Sequence, residues 1–436
     1  MPFFIALLLI VRMKYATDEL ATFASTELIQ HTSMTLLTIS HRAEKTPPSP
    51  IRKLAGLAQQ AADRGTHVYR LNIGQPDLLS PKEFLDGVSS FSKDVVAYEG
   101  SQGSRDLLST WVSCINRDYD IGLTNEQMLV TMGASEALIF AFMVVCDPGD
   151  EILMFDPTYA NYIGFSAISG VRLVSLPCSL EDKFALPTRE DIERYVSPYT
   201  RAVLLCNPNN PTGAVCSDDE LRMLVDLCRE RDLFLIVDET YREFVYDGVK
   251  PRCIYEIAPK DPRIIVVDSL SKRFSLCGAR IGCMLTWHPE VMRAAFHIAQ
   301  ARLSAPTIEQ DAAAHMLQTI GDQYLRDALA EYQARRDAAV TALSRIPGVT
   351  THAPQGGFYL LAKLPVKDAE DFASFMLTDF SSSGKTTFVA PAAGFYMLRE
   401  AGRSTIRIAF VLNRQDMEAA IAVLGEGLRA YQNRRA

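Results

Sequence analysis

The chain has 436 residues, 48% of them hydrophobic and 22% charged, and its 52 acidic and 44 basic side chains give a net charge of −8. That length implies two or three domains with a large buried interior, and the acidic balance gives no support for a nucleic-acid or membrane-surface partner. Nine cysteines are scattered with no C-x-x-C pair, which reads as reduced thiols in a cytoplasmic protein with no metal site.

In chain order, the first feature is the apolar run Phe3–Val11, closed by Arg12 and Lys14. A membrane span needs about 20 such residues, and no positive side chain precedes the run as in a secretory signal. Residues 1–46 are therefore expected to be a loosely attached extension, or a start placed too early, with Met34 opening a plausible mature chain. Pro47-Pro48-Ser49-Pro50 then leads into a helix at Ile51. Seven strands are expected at Met128–Thr131, Glu151–Phe155, Arg172–Leu176, Ala202–Cys206, Leu233–Asp238, Ile264–Asp268 and Gly282–Thr286. Several are continuous apolar runs without alternation, the pattern of strands covered on both faces in a largely parallel sheet. Helical stretches between them, such as Asp218–Arg231, point to an α/β layered domain. His297–Ala301 and Ile308–Val340 read as mostly helical. Strands at Gly357–Lys363 and Thr405–Val411 and a closing amphipathic helix follow. Residues 47–75 with 330–436 are assigned to a small domain and 76–329 to a large one.

The stretch with most chemistry is Asp268-Ser269-Leu270-Ser271-Lys272, followed by Arg280. A lysine just after an apolar strand can bond covalently to a carbonyl cofactor, while Ser269, Ser271 and Arg280 offer hydroxyls and a planar cation to a phosphate. Alone, the pattern is weak, since most such lysines are solvated. Asp238 strengthens it. A carboxylate at the end of a buried strand needs a partner, and a pyridinium N–H would pair with it and keep the ring protonated as an electron sink. Tyr241, three residues on, can reach a ring oxygen. Asn207-Pro208-Asn209-Asn210-Pro211-Thr212-Gly213 forms a rigid loop after a buried strand, with Asn210 placed to donate to the same oxygen.

In this order and spacing the motifs resemble the fold-type I, class I/II aminotransferase family, from about Pro50 to Val411, and most resemble its bacterial aspartate aminotransferase-like members. The resemblance implies an α/β aspartate-aminotransferase-like fold: a mostly parallel seven-stranded sheet sandwiched by helices, plus a smaller α+β domain. It implies pyridoxal 5'-phosphate, attached to Lys272 and bound by Gly133, Ala134, Ser135, Tyr159, Asn210, Asp238, Tyr241, Ser269, Ser271 and Arg280. Tyr98 matches a tyrosine that reaches the neighbouring subunit's cofactor, which implies a homodimer with shared sites. Arg407 and Gly74 match residues that receive the substrate α-carboxylate, joined by Asn210. Lys272, with Asp238 and Tyr241, would be catalytic. Some relatives carry a lysine at the position of Ser135; another subgroup uses an arginine near Arg302, which makes Arg302 a candidate for a distal carboxylate. The activity expected is transfer of an amino group between an L-amino acid, aspartate foremost, and a 2-oxo acid such as 2-oxoglutarate. β-Lyase and cyclising activities on the same fold and cofactor stay open. A transcriptional regulator would need a basic module that the residues before Pro47 do not supply.

Overall fold

The structure is a computed structural model that describes residues 38–435; the run Phe3–Val11 lies outside the described residues. From Arg42 onward the chain forms one compact unit. Its longer elements, in chain order, are α1 (Ala55–Asp63), β1 (His67–Arg70), α2 (Lys82–Ser89), α3 (Arg105–Tyr119), β2 (Met128–Thr131) and α4 (Ala134–Val145). Then come β3 (Glu151–Asp156), α5 (Asn161–Ser169), β4 (Arg172–Pro177), β5 (Thr200–Cys206), α6 (Asp218–Glu230), β6 (Phe234–Asp238), β7 (Ile264–Ser269) and β8 (Gly282–Thr286). The rest comprises α7 (Pro289–Arg302), α8 (Thr307–Thr319), α9 (Gln323–Ser344), β9 (Thr350–Thr351), β10 (Tyr359–Lys363), α10 (Ala369–Thr378), β11 (Lys385–Phe388), β12 (Ala390–Pro391), β13 (Thr405–Ala409) and α11 (Arg414–Arg435).

The seven expected strands pair into one sheet in the order β2-β8-β7-β6-β5-β3-β4. Only β8 runs against its neighbours. The missing alternation has a direct cause. Val203, Leu205, Leu235 and Val237 pack into one apolar layer, while Ala202, Leu204 and Ile236 pack into the layer on the opposite face. Both faces are dry, so both registers of each strand must be apolar. Helix α6 starts where Ser217 caps it in a reciprocal box with Glu220, which satisfies two of the orphan amides at its N-terminus. The helical region after β8 differs from the expectation. His297–Ala301 is only the end of α7, and Ile308–Val340 is broken at Ile320, whose extended backbone (ψ 129°) separates α8 from α9.

A second apolar core gathers Leu54, Leu71, Phe358, Phe372, Phe388, Phe410 and Leu424 from both ends of the chain. Around it lie the antiparallel sheet β12-β13-β10-β9 and the parallel pair β1-β11. Tyr241, Phe244 and Tyr246, just beyond β6, belong to this core too. The segment after Asp238 therefore anchors the carboxyl end of the central strand β6 into the second core. Among the described residues no helix is long and apolar enough to cross a membrane.

Candidate active site

A cleft of about 390 Å³ collects residues from the carboxyl ends of β2, β3, β5, β6 and β7, together with β10, β13 and the segment before α1. This is where an open α/β sheet presents its loops to ligands. Of the expected residues, Gly74, Ala134, Ser135, Tyr159, Asn210, Asp238, Tyr241, Ser269, Ser271, Lys272, Arg280 and Arg407 all line it.

Lys272 lies on a single helical turn, Leu270–Arg273, directly after β7. Ser269 caps that turn by accepting the Ser271 amide at 3.1 Å, and its Oγ is 2.8 Å from the Ser271 hydroxyl. Lys272 Nζ donates to the Gly74 carbonyl at 2.8 Å and lies 3.7 Å from Cys277 Sγ. The neighbouring Tyr241 hydroxyl is 3.0 Å from that of Tyr359. At Gly74 a β-carbon would come within 2.0 Å of the Tyr359 hydroxyl, so only glycine lets this backbone approach.

Asp238 ends β6 and is buried. One carboxylate oxygen accepts the Tyr162 hydroxyl at 2.7 Å; the other accepts the Thr240 amide at 3.1 Å and its hydroxyl at 2.6 Å. Desolvation raises its pKa, while the bonds from Thr240 and Tyr162 act in the opposite direction. These donors are neutral. A buried carboxylate surrounded only by neutral donors is well matched to a cationic N–H from a ligand.

The corner between β2 and β8 suits an oxyanion. Ala134 and Ser135 open α4, whose amide dipoles favour negative charge. Arg280 donates to the Met132 carbonyl at 3.1 Å and to that of Cys277 at 3.0 Å. A β-carbon on Gly133 (φ 74°) would lie 2.4 Å from the Arg280 guanidinium, so the glycine is what admits Arg280.

Arg407, central on β13, is almost fully buried. Its Nη1 donates to Asn210 Oδ1 at 3.2 Å and its Nη2 to the Asn72 carbonyl at 2.6 Å; Nε has no partner. The guanidinium is held between the Tyr359 ring (4.3 Å) and the Phe395 ring (4.6 Å). Desolvation lowers its pKa. Among the described residues no carboxylate pairs with Lys272, Arg280 or Arg407, whose bonds run to neutral oxygen or sulfur.

Three expected residues, Tyr98, Arg302 and Gly133, do not line the cleft of their own chain. Tyr98 is 78% exposed. Arg302, at the end of α7, donates to the Val130 carbonyl at 3.1 Å and sits 3.4 Å from Glu136. Its fork is thus turned to the outer side of β2, and the chain does not bring it to its own cleft. Gly133 acts from behind, through Arg280. Sequence reasoning missed Tyr162, Thr240, Asn72, Tyr359, Phe395 and Arg52. Tyr162 alone left a signal, standing one helical turn after Tyr159.

Behind the cleft is a buried ion cluster. Arg242 bonds Glu239 (2.5 Å), Asp268 (2.9 Å) and Glu243 (3.2 Å), and Arg273 bonds Asp268 (2.8 Å) and Glu243 (2.6 Å). Burial opposes charge on Asp268, but Arg273 and Arg242 hold its carboxyl below the usual range.

A family model described as aminotransferase class I and II matches residues 66–424. The aspartate aminotransferase of Musicola paradisiaca is 30% identical over 376 residues, covering 84% of this chain and 90% of the relative. The aromatic-amino-acid aminotransferase 2 of Thermococcus litoralis is 28% identical over 393 residues, covering 88% and 97%. Among solved structures, Thermus thermophilus aspartate aminotransferase with maleate superposes with a TM-score of 0.82 at 25% identity, over 90% of this chain and all of that one. Alanine aminotransferase from Pyrococcus furiosus gives 0.83 at 28% identity, with the same coverage.

Proposed function

The chain belongs to the class I and II aminotransferases, and from that premise we propose that it moves an amino group between L-aspartate and a 2-oxo acid such as 2-oxoglutarate, using pyridoxal 5'-phosphate in the cleft described above. Its fold is that of aspartate aminotransferase, and aspartate is the substrate named for several of its relatives. The observation that carries the reading is the set of unmatched groups: buried Arg407 without an acid, buried Asp238 without a cation, and Arg280 beside a helix N-terminus.

The residues fit the cofactor. Asp238 would hold its pyridinium N–H, Asn210 and Tyr241 its ring oxygen, and Tyr159 its ring face. Ser135, Ser269, Ser271, Arg280 and the first amides of α4 would hold its phosphate, with Lys272 as the point of attachment. When bound, this group supplies an electron sink for the bond broken at the substrate α-carbon. Arg407 fixes the α-carboxylate through a planar fork, which lysine cannot provide. Lys272 Nζ would act as the base that takes the proton from the substrate α-carbon. Tyr241 and Tyr359 close the side of the cleft next to Nζ and limit access of water.

The same reading makes residues 47–75 and 330–436 a smaller domain beside a cofactor-binding domain of 76–329, consistent with the second apolar core. It makes the enzyme a cytoplasmic homodimer in which exposed Tyr98 reaches the partner's phosphate site. The test is a panel of amino donors with 2-oxoglutarate, followed through cofactor absorbance and 2-oxo acid release. Stoichiometric glutamate and oxaloacetate from aspartate is the expected result. Release of ammonia and pyruvate from β-substituted donors, with no glutamate formed, would overturn it in favour of a β-lyase.

A further inference from the structure

We infer that Arg52 is the residue that selects a second, distal carboxylate on the substrate, so that the enzyme prefers dicarboxylic amino and oxo acids. The inference rests on the aminotransferase reading and adds the group that reads the side chain. Four cations line the cleft, namely Lys272, Arg280, Arg407 and Arg52, against one acid, Asp238. Three of the cations have work in the proposed reaction. Arg52 has none, and the relatives do not decide the matter, being named for aspartate, aromatic and alanine substrates.

Arg52 is exposed yet lines the cleft, which places it at the mouth. Among the described residues its guanidinium has no hydrogen bond or ion pair, whereas the adjacent Lys53 pairs with Glu370. A flexible arginine without a partner is unremarkable on an open surface. This one is held by its backbone. Its amide donates to the Ser49 carbonyl at 3.2 Å, and its own carbonyl accepts the Ala55 amide at 2.9 Å. The preceding residue, Ile51, accepts from Asn72 Nδ2 at 3.2 Å. Asn72 is the residue whose carbonyl receives Arg407. Pro50 packs against Gly394 so closely that a β-carbon there would lie 2.3 Å away. The turn carrying Arg52 is therefore tied, through one asparagine, to the arginine expected to grip the α-carboxylate. The backbone of this turn is thereby tied to the Arg407 side of the cleft, and Arg52 lines the cleft from that turn.

Charge bookkeeping favours an anion there. A monocarboxylic substrate would leave Arg52 unmatched in a cleft already rich in positive charge, while aspartate or glutamate would supply the missing carboxylate. Arg302, the alternative, is turned toward Val130 and Glu136 in this chain. A hydrogen bond to a charged group contributes about 1.5–3 kcal/mol, equivalent to roughly 10- to 100-fold in a binding constant.

The experiment uses the holoenzyme and the donor half-reaction alone, so that a dicarboxylic acceptor does not confound the result. The ratio of kcat/KM for aspartate to that for alanine is measured for the wild type, Arg52→Leu and Arg52→Lys. Arg52→Leu is expected to lower the ratio by about 10- to 100-fold, with Arg52→Lys recovering part of it. A reaction-free readout compares binding of maleate with that of isocrotonate, the cis monocarboxylate that carries a methyl group in place of one carboxylate, by calorimetry; only maleate should weaken. An unchanged ratio, or equal weakening of both acids, overturns the role of Arg52. A wild type that transaminates alanine but neither aspartate nor glutamate overturns the dicarboxylate preference and leaves the aminotransferase reading intact. Absence of amino transfer from every donor would instead defeat that reading.

Discussion

Arg407→Leu and Arg407→Lys separate the fork of Arg407 from its charge. Arg407 keeps two bonds to neutral oxygens, has a free Nε, and lies between two aromatic rings in a site that solvent hardly reaches. A bidentate carboxylate adds two charge-assisted bonds worth about 1.5–3 kcal/mol each, or about 3–6 kcal/mol together. At 1.36 kcal/mol per tenfold, Arg407→Leu should lower kcat/KM for the donor half-reaction by roughly 10²- to 10⁴-fold. Arg407→Lys restores a positive charge but only one geometry of donation, and should lose about 10- to 100-fold. The loss should fall on every amino acid alike, since all share the α-carboxylate. The assay is the single-turnover change in cofactor absorbance with aspartate, alanine and phenylalanine, with melting temperature as the folding control. A loss below tenfold in Arg407→Leu, or one confined to aspartate, would refute the assignment of Arg407 to the α-carboxylate.

Lys272→Ala should abolish both turnover and the visible absorbance of the lysine-attached cofactor; an active, yellow variant contradicts the assignment. Tyr162→Phe removes one donor to buried Asp238 at 2.7 Å and should weaken cofactor retention by roughly 10- to 100-fold, measured by equilibrium dialysis; an unchanged dissociation constant would show that Thr240 alone suffices. Asp156, buried at the end of β3 and accepting the Met397 amide at 2.8 Å, has its pKa pushed up to about 6 by desolvation. The folded protein therefore holds this proton more tightly than the unfolded chain does, and stability falls as pH rises from about 4 to about 6, by up to about 3 kcal/mol. Asp156→Asn, which still offers an oxygen to Met397, should lose that part of the pH dependence in urea unfolding; parallel curves for variant and wild type would refute it.

The large sheet was legible because its physical cause is local. Dry faces on both sides force runs such as Ala202–Cys206 and Ile264–Val267 to be apolar throughout, and such runs are visible without any tertiary knowledge. Lys272, Asp238 and Asn210 were legible for a related reason: each follows one of these strands at a fixed short distance. What surrounds Arg407 was not. Its partners Asn72 and Asn210 lie 335 and 197 residues away, and Phe395 reaches it from a short 3₁₀ turn between β12 and β13. No periodicity encodes such meetings. Arg302 is the converse case within a single chain. A plausible neighbourhood in the sequence suggested a ligand contact, but the end of α7 directs the side chain to a carbonyl of β2. Arg52 was passed over because an arginine opening a helix is ordinary; contacts with residues far along the chain, Asn72 to Ile51 and Gly394 to Pro50, hold its turn at the cleft.

The relation between Asp238 and Lys272 has two levels of control. Pairing of β6 with β7 sets Asp238 opposite Val267, which brings the two strand ends together but leaves the turns beyond them free. The ion cluster removes that freedom. Glu239 follows Asp238, Asp268 precedes the turn of Lys272, Arg273 follows Lys272, and Arg242 bonds both Glu239 and Asp268. Such buried pairs add little net stability, because desolvation offsets most of the attraction, yet removal of one partner is costly. Apolar residues of similar volume would fill the space as well. They would not fix direction. Arg242 and Arg273 converge on a single oxygen of Asp268, and the other oxygen accepts the Ser269 amide at 2.6 Å. The carboxylate is thus locked from three sides, and with it the start of the turn that presents Lys272 to the cleft.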